Sequence, residues 1–469
     1  MSVMLRKHLL LSCAVLGLSA CSLAPDYLRP DLPTADSWPA DTQAQAGKPL
    51  WADMSWKQFF TDPTLQDLIQ QSLDNNRDLK VAVLNIEVAR ATYRISESNL
   101  YPHVDANGSG TEQRVPKALS STVPQAAYTS RTYAANLGVS AFELDLFGKI
   151  RSLNEQALES YLSTEEARRT TQITLVAEVA NAYLTLLGDQ RLLVLTQDTL
   201  NTRAKSLELI QRSFEHGVSS ELDLAQARTL LETAKANLAL YRRQVAQDRN
   251  ALVLLLGKGV DDTKLAGDLA KIKFVEDLSP GLPSEVLLRR PDIMGAEHDL
   301  KAANAYIGAA RAAFFPSISL TGSYGLSSPA LSSLFQGASN AWSFAPSVSM
   351  PIFDAGSNQA TLDSAKASRD IKVATYEKTV QTAFKEVSDA LVAKATYGDQ
   401  IAAQSALVDA TRTSLRLSQA RYDRGVSSYL DLLDSQRSLY SAEQDLISLE
   451  VSRLSNMVTL YKVLGGGAS

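Results

Sequence analysis

Cysteine is almost absent from this chain: 469 residues contain two, Cys13 and Cys21. Histidine is scarce as well, with His8, His103, His216 and His298 far apart. No zinc-protease, serine-triad or phosphate-loop spacing occurs. Nothing there can be assigned as a catalytic residue, a metal centre or a cofactor site, so the chain does not read as an enzyme. Basic blocks are missing too: the net charge is −5 and the isoelectric point near 5.6. That excludes a nucleic-acid surface as the working face. After the N-terminus no apolar run approaches the ~18 residues of a membrane-spanning helix. Proline, finally, is missing from Ser152 to Phe214.

The N-terminus has the sharpest local pattern. Arg6-Lys7 precede an apolar stretch from Leu9 to Leu18, and Leu18-Ser-Ala-Cys21 follows. The stretch is too short for a span and fits a signal peptide over residues 1–20. Small residues before a cysteine point to lipoprotein processing. The Cys21 sulfur would carry a diacylglycerol, and its freed amine a fatty acyl group such as palmitate. More than one acyl chain is what stable anchoring requires. The alternative is an ordinary secretory signal with an incidental cysteine. Ser22 in place of aspartate favours export to the outer membrane. Removal of Cys13 with the signal would leave no disulfide.

The chain is written twice. Ser206 to Leu224 reappears as Ser414 to Leu432, and Gly217-Val-Ser-Ser as Gly425-Val-Ser-Ser. The offset is about 208 residues, too long for a solenoid. Earlier residues, such as Pro102 and Gly108-Ser109 against Pro316 and Gly322-Ser323, repeat at an offset of about 214. The difference predicts about six extra residues after Gly110 in the first copy, placed in a surface loop. The two pseudo-repeats are expected over 76–285 and 286–469, each running helix, β-hairpin, long helical hairpin. A leading segment over 21–75 precedes them.

The proline-free stretch predicts a helix of roughly 90 Å at 1.5 Å per residue. Beyond it Leu224, Ala227, Leu231, Ala234, Leu238, Tyr241, Val245, Leu252 and Leu255 step by threes and fours. That is a coiled-coil seam, and only Asp248 breaks it. The second copy keeps the register but places Ser435, Arg453 and Asn456 on it. Gly217 and Gly425 fit left-handed C-caps, and the serines after them N-caps. Each copy therefore predicts a tight helical hairpin with an equivalent tip.

After Pro316 the apolar residues alternate. Ile318, Leu320, Gly322, Tyr324 and Leu326 take one face and serines and Thr321 the other. Trp342 to Ile352 returns with the same two faces, and the first copy matches in outline. Four strands of about ten to thirteen residues suit a transmembrane β-barrel, with a half-buried soluble sheet as the alternative. Four strands cannot close a barrel, and lipid permits no open sheet edge. A membrane location would therefore require several chains.

The whole chain resembles the bacterial outer-membrane efflux proteins, the TolC-like family, in its OprM-type lipoprotein branch. The motifs that carry the resemblance are Cys21-Ser-Leu-Ala-Pro-Asp-Tyr27, Asn75-Asn-Arg-Asp-Leu79, Phe142-Glu-Leu-Asp-Leu-Phe-Gly148 and Leu288-Arg-Arg-Pro-Asp-Ile293. Ile307 to Ile318, Pro351-Ile-Phe353 and the two tips complete the set. The resemblance implies a mixed α and β homotrimer. Long coiled helices would form an α-barrel through the periplasm, and four strands per chain a transmembrane β-barrel. It implies a lipid-anchored protein of a Gram-negative outer membrane. This would be the passive exit duct of a tripartite multidrug efflux system, important for antibiotic resistance. Its partners would be a periplasmic adaptor and an inner-membrane pump of the RND type. The tips Gly217, Val218, Ser219 and Gly425, Val426, Ser427 are the expected adaptor contacts.

By similarity Leu430 and Asp434, with Asp431 between them, form the apolar and acidic rings of a periplasmic gate. The i, i+4 spacing places Leu430 and Asp434 on one helix face. The first copy departs from this pattern with Leu222 and Gln226. A solvated aspartate near a helix start is the plainer reading of Asp434. Two other functions compete: a secretion duct for polypeptides served by an ABC transporter, and a non-transporting lipoprotein that spaces the envelope.

Overall fold

A computed structural model describes residues 22–35, 37–38, 54–120, 124, 126–261, 265–275 and 283–466. The expected signal peptide and Cys21 lie outside the described residues. The helices among them are α1 Trp56–Phe59, α2 Pro63–Asn75, α3 Arg77–Ser98, α4 Lys149–Glu215 and α5 Glu221–Leu256, followed by α6 Pro283–Leu287, α7 Pro291–Ala312, α8 Ser357–Asp423 and α9 Tyr429–Val463. The strands are β1 Asp105–Val115, β2 Tyr128–Leu144, β3 Ser317–Ser328 and β4 Asn340–Ser349. The chain is mostly helical with one small sheet. No described helix is long and apolar enough to cross a membrane.

The strands form one antiparallel sheet in the order β1-β2-β3-β4. Ile318 lies opposite Val348, Gly322 opposite Phe344 and Tyr324 opposite Trp342, while Leu137 lies opposite Tyr324 on the other side. Because side chains alternate along a strand, this register gathers the apolar residues on one face. The other face holds Ser319, Thr321 and Ser323, the last bonded to Ser343 through their hydroxyls at 2.8 Å. β1 and β4 are the end strands, each paired on one side only among the described residues.

The extra length of the first copy is not in a loop. β2 has 17 residues against 10 in β4, and the register shifts between Val139 and Phe142. Ser140 and Ala141 fill this bulge. Ala141 takes φ +51°, and its N–H donates to Thr321 Oγ1 at 3.1 Å. The bulge sets these two residues against Thr321 alone and so takes up one extra residue without ending the pairing; the rest lengthen β2, where the sequence offset alone could not place them.

Two compact units divide the chain, and each draws on both copies of the repeat. The first comprises residues up to Pro30, 87–164 and 296–376; the second comprises 31–86, 165–295 and 377–469. In the first unit the segment after Ser22 lies along α7. Arg311 donates to the Leu23 carbonyl at 2.9 Å and Asn304 to the Pro25 carbonyl at 2.7 Å. Tyr27 and Arg29 both donate to the buried Glu297, Arg29 at 2.9–3.1 Å to its two oxygens. Gly308 leaves the space: a Cβ there would come within 2.8 Å of the Ala24 nitrogen.

Two of the motifs turn out to be joints of the second unit. Asn76 accepts from the Leu79 N–H at the start of α3 and donates to the Leu255 carbonyl at 3.0 Å. Arg290 donates to both Asp292 oxygens, to Glu386 at 3.0 Å and to the Val463 carbonyl at 2.8 Å, tying α7 to α8 and α9. Phe59 stacks on Tyr461 at 4.3 Å and on Phe274 at 5.3 Å in the aromatic core beside them. His298, isolated in sequence, bonds Glu159 at 2.6 Å in the first unit.

Candidate functional site at the hairpin tips

The two tips are built alike. Gly217 and Gly425 take φ +74° and +72°, where a side chain would be strained. At the first tip Gly217 N–H donates to the Phe214 carbonyl at 2.8 Å and Val218 N–H to Ser213 at 2.9 Å. At the second, Gly425 N–H donates to Tyr422 at 2.8 Å and Val426 N–H to Arg421 at 2.9 Å. Both are Schellman closures, which satisfy the last helical carbonyls. Ser220 then caps α5 with Asp223 in a capping box, and the Ser428 hydroxyl accepts from the Asp431 N–H at the start of α9.

Small differences separate the copies. Ser219 Oγ donates to Ser213 Oγ at 2.8 Å. The counterpart of Ser213 is Arg421, and Ser427 Oγ has no hydrogen-bond partner among the described residues. Behind the tips Ile210, Leu224, Ala227, Leu230, Tyr429, Leu432 and Leu433 form a shared core. It joins the two hairpins, and Tyr422 meets Tyr429 across it at 5.4 Å.

The apolar tip residues point away from that core. Val218 is 81% exposed, Val426 65% and Leu430 53%. Leu430 and Asp434 stand one turn apart on the exposed side of α9, with Asp431 exposed beside them. Asp434 is not a free carboxylate: Arg437 donates to it at 3.3 Å, an i, i+3 pair that sequence spacing could have revealed. Farther from the tip lies a junction that seam reasoning missed. The Tyr440 hydroxyl bonds Thr196 at 2.8 Å and Asn237 at 3.4 Å, and the Arg203 guanidinium lies over its ring at 5.1 Å. Arg203 is buried, which lowers its pKa, and it donates to the Leu230 carbonyl at 2.9 Å. Among the described residues no group of three or more metal-ligating side chains occurs.

The model of the outer membrane efflux protein family matches residues 68–258 and 282–466. The chain belongs to that family. It is 53% identical over 468 residues to the antibiotic efflux pump outer membrane protein ArpC of Pseudomonas putida, covering 98% of this chain and 95% of that protein. Against the outer membrane protein OprJ of Pseudomonas aeruginosa it is 45% identical over 455 residues, covering 96% of this chain and 94% of OprJ. Among solved structures, the open state of the MtrE channel of Neisseria gonorrhoeae has a TM-score of 0.86 at 41% identity. The match covers 96% of this chain and 99% of that one. This outer-membrane efflux protein therefore shares its fold with outer-membrane channels.

Proposed function

We propose that this chain is the outer-membrane exit channel of a tripartite multidrug efflux system, with an adaptor and an RND-type inner-membrane pump as its partners. The observation that carries the reading is the four-stranded sheet with one apolar face and, among the described residues, two end strands paired on one side only, in a chain that matches the efflux family over residues 68–258 and 282–466. Lipid tolerates no unpaired edge. Three copies would join β4 of one to β1 of the next and close a twelve-stranded barrel. The long helices would continue it as an α-barrel. The channel is passive, and its opening is driven by the partners.

In this reading Cys21 is the lipid anchor, following a signal over 1–20. The Gly217–Ser219 and Gly425–Ser427 tips receive the adaptor, since their valines are exposed and need covering. Replacing Gly217 or Gly425 with valine opposes the positive φ. Efflux should drop while trimers still form, as read by drug susceptibility and by native gel. The gate is assigned to Leu430, Asp434 and Asp431.

Relatives are named for antibiotic, toluene and solvent efflux, which supports small, largely apolar cargo. The test is deletion of the gene in its own host. Susceptibility to several unrelated antibiotics should rise and be restored by the intact gene. Unchanged susceptibility with an exported polypeptide retained in the cell would instead establish a secretion duct.

A further inference from the structure

Asp248 is the one residue that interrupts the first seam, and the fold gives it an unusual neighbour. In a hairpin closed at Gly217, residue 248 of α5 lies opposite residue 189 of α4, and the Asp189 and Asp248 carboxyls come close enough to hydrogen-bond once one of them holds a proton. Asp248 Oδ2 is shut off from solvent and meets no donor among the described residues. One turn away on α5, Gln244 Oε1 is in the same position. From α9, Val451 closes on Gly188, where a Cβ would come within 2.5 Å of it.

Arg191 of α4 pairs with Glu450 of α9, the Arg249 side chain is exposed, and Tyr241 accepts from Gln444 of α9 at 2.7 Å. The second copy supplies a control. Asn456 occupies the place of Asp248 and donates its amide to the Ala390 carbonyl at 3.0 Å. A carboxylate can make no such bond, because it has no hydrogen to give.

We infer that Asp189 and Asp248 form a proton-held clamp in the seam of the first helical hairpin: one shared proton joins α4 to α5, and its loss parts them locally. Two carboxylates at hydrogen-bond distance cannot both ionise without strong repulsion. Burial raises both groups, and Asp248 is pushed up to about 7, first by burial and then by its bond to Asp189 and that group's charge. The two titrate as a pair, so the proton belongs to both. The sign follows. An unfolded aspartate ionises near pH 4, whereas the folded pair keeps its proton to about pH 7. The clamp is fully closed in acid, costs stability progressively from about pH 4 to 7, and stands open above that.

The test is hydrogen–deuterium exchange on the full-length trimer in detergent at pH 6 and pH 8, corrected for intrinsic rates. Peptides around 185–192 and 244–252 should lose protection several-fold at pH 8, while those around Asn456 should not. Asp248→Asn, which copies the second repeat, should flatten the difference. Asp248→Leu, which completes the seam, should flatten it too and raise the melting temperature at pH 8. Equal pH dependence in the wild type and in either folded variant would overturn the clamp. So would protection in the wild type that does not change with pH.

Discussion

Asp434 illustrates how a neighbour changes what a residue can do. An exposed carboxylate at the mouth of a channel attracts cations, but Arg437 one turn along α9 offsets part of its field. Asp434→Ala should therefore lower cation preference in planar bilayers, and Arg437→Ala should raise it. If the proposed gate is right, three Leu430 side chains meet and exclude water, and Leu430→Ala should raise resting conductance. Glu297 raises the opposite question, that of a carboxylate held charged. Burial pushes its pKa up, but the bonds from Arg29 and Tyr27 and the charge of Lys301 outweigh burial, and the net shift is downward. Its contribution is present above the unfolded value of about 4.3 and is lost as pH falls through the folded one. The Ser22–Pro30 segment should accordingly become protease-sensitive in acid. Glu297→Gln should expose it at neutral pH, as read by limited proteolysis.

At the scale of elements, periodicity was a good guide to which segments form and a poorer one to their detail. The helix expected from Ser152 to Phe214 runs from Lys149 to Glu215, and Gly188 does not break it because Val451 packs there. The seam is nearly as expected, yet Leu230 and Leu256 are buried where Leu231 and Leu255 were expected. A straight helix repeats at 3.6 residues, so a strict 3.5 pattern drifts off the contact line. Leu230→Ala should cost about 2–4 kcal/mol of stability and Leu231→Ala well under half of that, as read by thermal melting. The tips were legible because glycine and serine capping is local. The bulge at Ala141 and the Arg437 partner of Asp434 were not foreseen. A bulge depends on a strand distant in sequence, and the Asp434–Arg437 pair follows charge spacing at i, i+3, which the periodicity of apolar residues does not show.

At the scale of the whole molecule, the sheet ends among the described residues in two singly paired strands, and its two faces predict opposite consequences for one kind of substitution. Phe344 is exposed on the apolar face, while Ser343, its neighbour in β4, lies on the polar face against Ser323. If three sheets close a barrel, Phe344 meets hydrocarbon and Ser343 meets the water-filled interior. A lysine on the lipid face near mid-membrane costs about 2–4 kcal/mol per copy, and a trimer incurs this cost three times. Phe344→Lys should therefore prevent outer-membrane assembly, leaving the protein out of the outer-membrane fraction. Ser343→Lys should assemble normally, because its ammonium stays hydrated, and should shift single-channel conductance and reduce cation selectivity. Had the sheet been a half-buried soluble one, Phe344 would face a protein core. Phe344→Lys would then unfold the chain outright, and Ser343→Lys would leave conductance untouched. Measuring fractionation and bilayer currents for the two variants side by side separates these architectures.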